Sequence, residues 1–459
     1  MKKALLMTCL LLITLSISAQ DITGTWKGKL SLPMGQLTIV FNIIRAGESY
    51  KATCDSPDQG AKGMPAESVT FVNSVLVIKI PTVGASYQGE LKEDGKIHGN
   101  FTQGLPFPLV LEKGEVEKPK RPQEPQPPFA YKTEDITFRN TEAGITLAGT
   151  LTLPQTGSNF PAVVLITGSG AQNRDEELMG HKPFLVIADH LTRNGIAVLR
   201  FDDRGTAQSD GNFNASTSID FATDAAAALK YLRSRKEINS KKIGLLGHSE
   251  GGLITFMQAA KDKNIAFIIS LAGPGIKGDS LILKQAEAIS KSQGMADAAW
   301  DSFKPILKNR YALLTQDKSA EQLKKELYED VMKTVPSGTS VDDNMKKKIE
   351  NEINVMTSPW YIQFMEYDPA NDLKKITCPV FALNGEKDIQ VDAAMNLKAI
   401  EENIRSNGNK KVTTKMYPGL NHLFQHCTQC TVSEYGQLEE TINPEVLKDI
   451  TMWIKETIK

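Results

Sequence analysis

Net charge is nearly absent from this chain: 53 Lys and Arg stand against 54 Asp and Glu, giving −1 at pH 7. Proteins that grip nucleic acid present a basic face, so this balance argues against such a partner. Histidine is scarce. Any imidazole base must be one of His98, His181, His190, His248, His422 and His426. Cysteine is scarcer, at five residues, and one of them (Cys9) lies in the first apolar stretch. Cys427-Thr-Gln-Cys430 can close locally or hold a metal, but only His422 and His426 are near enough to complete a zinc site, so a structural role is expected and no metal. Long apolar runs are lacking beyond residue 19, so no membrane span is expected in the mature protein. No fixed period marks a repeat array.

What is present begins with Lys2 and Lys3, an apolar stretch from Ala4 to Ile17, and small residues at Ser16, Ser18 and Ala19. This reads as a secretory signal peptide over residues 1–19, which places the mature protein in the periplasm or outside the cell; a membrane anchor is the alternative. Residues 21–112 then show short period-two runs separated by glycine turns, with Asp94-Gly95 as a hairpin signal. They predict a small all-β domain, a sandwich or partly open barrel, with Trp26 in its core. Residues 113–130, including EKPKRPQEPQPPFA, are proline-rich and read as a semi-rigid interdomain linker.

From residue 131 the pattern changes. A hairpin (EDITFRN, ITLAGTLTLP) precedes the apolar runs AVVLIT, IAVLRF, KIGLLG, FIISLAG, PVFALNG and VTTKMYPG, which alternate with helical spacing. Such runs fit parallel strands covered on both faces, so residues 131–459 predict a mostly parallel, doubly wound α/β domain. Roughly 90 residues separate FIISLAG from PVFALNG, far more than a βα connection needs. The helical periodicity there predicts an inserted cap at about 276–368.

Chemistry enters at Gly247-His-Ser249-Glu-Gly251, between a strand and a helical pattern. A turn this tight tolerates little beyond glycine beside the serine. It lifts the hydroxyl clear of the sheet and aims the first helix amides at an attacked carbonyl. Serine needs an imidazole to take its proton and a carboxylate to orient that imidazole. His422 follows the last strand and is favoured over His426. Asp388, in Gly385-Glu-Lys-Asp, is favoured over Glu386 and Asp392. The order Ser249, Asp388, His422 suits an α/β-hydrolase triad. An oxyanion hole would use the amide of Glu250 and a second from Thr167-Gly-Ser-Gly170, with Ser169 favoured and Gly170 the alternative. The charged sets Asn173-Arg-Asp-Glu176 and Asp202-Asp-Arg204 are read as loop ties rather than substrate contacts.

TGSGAQNRDE, RFDDRGTAQSDG, GLLGHSEGG, NGEKD and GLNHLFQ together resemble the α/β-hydrolase superfamily. The chain is most similar to bacterial carboxylesterases of the dienelactone-hydrolase and serine-aminopeptidase-like group, over about residues 131–459. The resemblance implies Ser249 as nucleophile, His422 as general base, Asp388 as its orienter, and short-chain acyl esters as substrates. Thr167 stands where that group often has histidine. The β domain loosely resembles lipocalins through Gly-x-Trp and its strand count. The expected activity is hydrolysis of a small-molecule carboxylic ester through an acyl-enzyme, without cofactor. Two other readings remain open: an aminopeptidase, whose cap carboxylates Glu287, Glu326, Glu329 or Asp330 would hold the substrate ammonium, and a non-catalytic binding protein.

Overall fold

Alternation decides which side of each strand is buried, and the computed structural model shows this in two separate units, residues 1–117 and 118–459. It describes residues 21–32, 35–57, 61–115, 120–316, 318–335 and 341–459. The signal peptide expected over residues 1–19 lies outside them.

The first unit forms one antiparallel sheet of nine strands among the described residues: β1 (Gly24–Leu32), β2 (Gly35–Ala46), β3 (Ser49–Ser56), β4 (Ala61–Pro65), β5 (Ser68–Val72), β6 (Val75–Ile80), β7 (Ala85–Leu91), β8 (Ile97–Gln103) and β9 (Leu105–Lys113). The order β4-β3-β2-β1-β9-β8-β7-β6-β5 is a meander joined through the β1–β9 pair, with its two edges at the consecutive strands β4 and β5. It is therefore one curling sheet and not two stacked ones. Alternate residues point inward: Trp26, Phe41, Ile43, Leu76, Ile78 and Tyr87 are buried together. Trp26 Nε1 donates to the Ile22 carbonyl at 2.8 Å, so its polar edge is satisfied inside.

The second unit is built on a mixed eight-stranded sheet. The hairpin β10 (Tyr131–Asn140) and β11 (Ile145–Pro154) forms its antiparallel edge. Parallel strands follow: β12 (Phe160–Ile166), β13 (Ala197–Phe201), β14 (Ile238–His248), β15 (Ile268–Leu271), β16 (Val380–Gly385) and β17 (Val412–Tyr417). Both sheet faces are apolar and both are covered. Ala162, Val164 and Ile166 of β12 pack with α2 (Ser218–Ser234), α3 (Glu250–Lys261) and α10 (Ala393–Ser406). Val163 and Leu165 pack with α1 (Pro183–Arg193) and α11 (Pro444–Thr457) on the other side. Parallel strands bring all their C-terminal ends to one rim, where connecting loops meet.

Between β15 and β16 the described residues form α4 (Gly278–Ser292), α5 (Asp297–Leu314), α6 (Ala320–Thr334), α7 (Asp343–Met356), α8 (Pro359–Glu366) and the single turn α9 (Ala370–Leu373). These helices have a small core of their own, with Tyr311, Leu314, Leu327, Ile349, Ile353 and Met365. Among the described residues no helix is long and apolar enough to cross a membrane.

Part of the proline-rich segment is no free spacer. Residues 116–119 lie outside the described residues, but Arg121 and Gln123 are bonded to loops of the second unit. Proline removes backbone donors without preventing side chains from docking, so a linker composition does not imply a detached chain.

Candidate active site

The turn after β14 is held open by glycine. A Cβ on Gly247 would lie 2.0 Å from the Gly251 carbonyl oxygen, and one on Gly251 would lie 2.0 Å from that of Ile166, so neither position accepts a side chain. Between them Ser249 adopts φ 52° and ψ −119°, a conformation that non-glycine residues avoid. The serine is partly exposed in an otherwise buried run, with its amide bonded to the Leu271 carbonyl at 2.8 Å.

The loop after β17 presents His422. Asn421 folds it: its Oδ1 accepts from the amides of Leu423 and Gln425, both at 3.0 Å, and its Nδ2 donates to Gln425 Oε1 at 2.9 Å. Asp388 arrives from the end of β16. The amide of Lys387 donates to the Leu420 carbonyl at 2.8 Å, which sets the two loops side by side. Asp388 Oδ2 lies 2.7 Å from His422 Nδ1, and Oδ1 accepts from the amides of Gln390 and Val391 at 2.8 and 2.9 Å. With its carboxylate fully buried and every bond aimed, Asp388 fixes the ring's orientation and places the Nδ1 proton toward itself.

The other carboxylates and imidazoles weighed above have different employment. Glu386 is exposed and accepts the Gly419 amide, and Asp392 caps α10 through the Met395 amide. His426 is largely exposed and faces Glu440 at 3.1 Å. His181 is buried between Thr441 Oγ1 and the Tyr435 carbonyl, and burial pushes its pKa down to about 4. His248 is buried with both ring nitrogens engaged: Nδ1 meets Glu176 Oε1 at 2.9 Å and Nε2 meets the His422 carbonyl at 3.1 Å. Burial disfavours its charge, but Glu176 outweighs that and holds its pKa above the usual imidazole value. Both ring nitrogens face acceptors, so His248 has no lone pair to offer Ser249.

The loop after β12 abuts the elbow, for a Cβ on Gly168 would lie 3.2 Å from that of Ser249. Glu176 Oε1 takes the Gly168 amide at 2.8 Å as well as His248. Among the described residues the amides of Ser169 and Glu250 donate to no other protein group. Asp203 braces the same loop, its Oδ1 accepting Thr167 Oγ1 at 2.6 Å and its Oδ2 the Gln172 amide at 2.9 Å. Desolvation pushes its pKa up to about 8. Asp202 with Arg174, and Arg204 with Asp224, make ion pairs that tie the flanking loops.

Glu250 was read from the sequence for its amide alone; its side chain does more. Oε1 accepts Ser218 Oγ at 2.5 Å and Trp360 Nε1 at 2.8 Å, so α8 is bonded to the residue next to the serine. Desolvation raises its pKa. Thr167, Gly168, Asp203, Phe213, Phe221 and Glu250 line a narrow crevice with room for little more than one water. Sequence reasoning missed Trp360 and Tyr435, for which no local pattern exists, and treated Glu176 only as part of a loop tie.

The family model for serine aminopeptidase, S33, matches residues 182–426, a span that contains the elbow, Asp388 and His422. The chain belongs to this family of α/β hydrolases. Esterase EstD of Thermotoga maritima is 25% identical over 333 residues, covering 71% of this chain and 68% of that protein. An uncharacterized 31.7 kDa protein of Escherichia coli, from the traX-finO intergenic region, is 23% identical, covering 70% of this chain and 99% of its own. Among solved structures, the Pyrococcus furiosus esterase Pf2001 aligns with a TM-score of 0.45 at 16% identity, covering 75% of this chain and all of that one. Just beyond the family span, the Cys427–Cys430 disulfide comes directly after the last matched residue. This closes the CxxC pair on itself, and Glu434 accepts the amides of Thr428, Gln429 and Cys430 inside that small loop.

Proposed function

We propose that the protein is a serine hydrolase that cleaves carboxylic esters, with Ser249 as nucleophile, His422 as general base and Asp388 as its orienter. The observation that carries this reading is the buried 2.7 Å contact from Asp388 to His422 Nδ1, at the rim where a strained turn holds Ser249. That contact leaves Nε2 of His422 as the basic nitrogen. Ser249 attacks the ester carbonyl while His422 takes its proton. The negative oxygen is met by the amides of Ser169 and Glu250. Collapse expels the alcohol with the proton returned by His422, and water then repeats the sequence on the acyl-enzyme.

The α4–α8 insertion acts as a cap that walls the acyl side, consistent with Trp360 of α8 bonding to Glu250. The substrates are short-chain acyl esters, as the resemblance to bacterial carboxylesterases implies. A secreted or periplasmic location fits the Cys427–Cys430 disulfide, which an oxidising compartment preserves.

The peptidase reading draws on the family's description. Three of the four cap carboxylates that would hold an ammonium are engaged, which weakens that reading: Glu287 pairs with Lys284 and Lys291, Glu326 with Lys318, and Asp330 with Arg310, while Glu329 is exposed. The test is turnover of p-nitrophenyl acetate beside aminoacyl-anilides, in the wild type and in Ser249→Ala. Ester turnover and fluorophosphonate labelling that vanish in Ser249→Ala are expected. Undiminished turnover in that variant overturns the proposal.

A further inference from the structure

Two loops flank the elbow. One runs from Gly168 through Glu176 to His181; the other runs from Asn421 through the disulfide to Ile442. Each is largely irregular, with a Leu178–His181 bridge in the first and a short 3-10 turn, Val432–Gln437, in the second. His181 of the first bonds Thr441 and Tyr435 of the second, and a third stretch of chain joins them from outside. Arg121 donates from Nε to the Gly180 carbonyl at 3.0 Å, and from Nη2 to those of Gly436 at 2.7 Å and Met179 at 3.3 Å. Its Nη1 donates to the Leu438 carbonyl at 2.6 Å. One planar fork thus spans both loops, a task the single ammonium of lysine cannot perform. Two residues on, Gln123 donates to the Ile442 carbonyl at 2.6 Å and accepts the Thr441 amide at 2.6 Å. Pro122 and Pro125 flank these side chains and restrict the backbone before it docks.

The clamped stretch leads directly to the site. Tyr435, next to Gly436, is buried, and its phenol lies within the field of Asp388, whose charge helps to raise its pKa after desolvation has done most. Its carbonyl accepts from the His181 ring at 2.9 Å. Gln425, three residues after His422, donates to the Glu440 carbonyl at 2.7 Å. The path from Arg121 to His422 therefore runs through bonded groups, half-buried at Arg121, Gly436 and Glu440 and buried at Tyr435, His181 and Gln425.

We infer that residues 121–123 form a strap whose Arg121 and Gln123 are positioning residues, holding the His422 loop in register with the Ser249 elbow. The inference rests on the proposed role of His422 as general base. Neither strap residue touches the reacting atoms. Release of the strap lets the imidazole drift, and a displacement near 1 Å costs on the order of 100-fold in rate.

The test uses the full chain and p-nitrophenyl acetate. Arg121→Ala should lower kcat about 10- to 100-fold with KM within about two-fold, because binding of the ester does not use the displaced ring. Arg121→Lys should recover little. Dilute guanidinium, set against sodium chloride at equal ionic strength, should restore part of the Arg121→Ala rate by refilling the fork's place. Gln123→Ala, which removes fewer bonds, should show the same kcat-selective loss to a smaller degree. Should Arg121→Ala be unstable, Gln123→Ala and the guanidinium response, measured below both thermal midpoints, decide. Wild-type kcat in folded Arg121→Ala and Gln123→Ala, or loss without guanidinium response, overturns the strap. Activity surviving in Ser249→Ala and His422→Ala strikes the catalytic assignment instead, whatever the strap variants do.

Discussion

Replacing Asp388 by Asn changes one atom and should nearly silence the enzyme. The asparagine fits the same space. Its carbonyl oxygen replaces Oδ1 as acceptor for the Gln390 and Val391 amides, which sit at 2.8 and 2.9 Å. That leaves its NH2 facing His422 Nδ1 across a 2.7 Å contact. Two donors cannot share one bond, so the ring shifts its proton to Nε2 and presents an N–H where the serine needs a lone pair. The imidazolium formed during attack also loses its buried counter-charge. In serine proteases this exchange lowers kcat about 10⁴-fold, equivalent to about 5.5 kcal/mol of barrier. The same size is expected here, since the carboxylate is equally enclosed. Stability should fall by only about 1–3 kcal/mol, the cost of weakening a buried charged bond. Stopped-assay kcat on p-nitrophenyl acetate, with thermal melts, measures both. Glu386→Gln and Asp392→Asn serve as controls and should stay within a few-fold of wild type. A kcat for Asp388→Asn within ten-fold of wild type, in a folded protein, would refute the reasoning.

Ser249→Gly should be inactive yet melt a few degrees above Ser249→Ala, because glycine relieves a φ of 52° that costs a residue with a Cβ about 1 kcal/mol; equal melting points contradict the strain. Asp203 offers a pH test. Its carboxyl is raised from 3.8 to about 8, so the folded protein keeps a proton that the unfolded chain has released, and stability falls as pH climbs through that interval. Asp203→Asn should flatten this part of the profile in urea melts stepped across it, and an unchanged slope counts against the buried acid. Reducing Cys427–Cys430 frees a loop of four residues, worth at most about 2 kcal/mol. Because Glu434 still binds three amides of that loop, kcat should hold within a few-fold while the thermal midpoint drops, and a ten-fold loss of kcat would show that the disulfide itself sets the site.

The parts of the site readable from the sequence are those under local constraint. Gly247 and Gly251 leave no room for a Cβ, so the elbow writes its geometry into adjacent letters. Val163 and Val164 point to opposite faces of a covered sheet, so the strand reads as unbroken apolar sequence. Other features depend on partners far along the chain. Glu176 lies 72 residues from His248, and Trp360 lies 110 from Glu250. Arg121 reaches a carbonyl 315 residues away. Each is an ordinary polar residue in its own neighbourhood, and only the folded sheet gives it a use. The proline-rich segment misleads for the same reason. Its composition reports backbone stiffness correctly, but says nothing about what Arg121 and Gln123 will meet.

Distance also explains how a site crowded with acids can stabilise an oxyanion. Glu176, Asp203 and Glu250 all border the elbow or the loop beside it, and three buried negative charges there would oppose a fourth on the substrate. The protein avoids this in two ways. Glu176 faces the His248 ring and favours its positive charge, which works against the field of the carboxylate. Desolvation pushes the Asp203 carboxyl up to about 8, which favours its protonated form, and shifts Glu250 in the same direction. A neutral carboxyl still braces its neighbours through hydrogen bonds, as Asp203 does for Thr167 and Gln172, without setting a field against the transition state. Under the proposed mechanism the acids around Ser249 therefore act as struts, and Asp388 is the buried carboxylate turned toward the ring of His422.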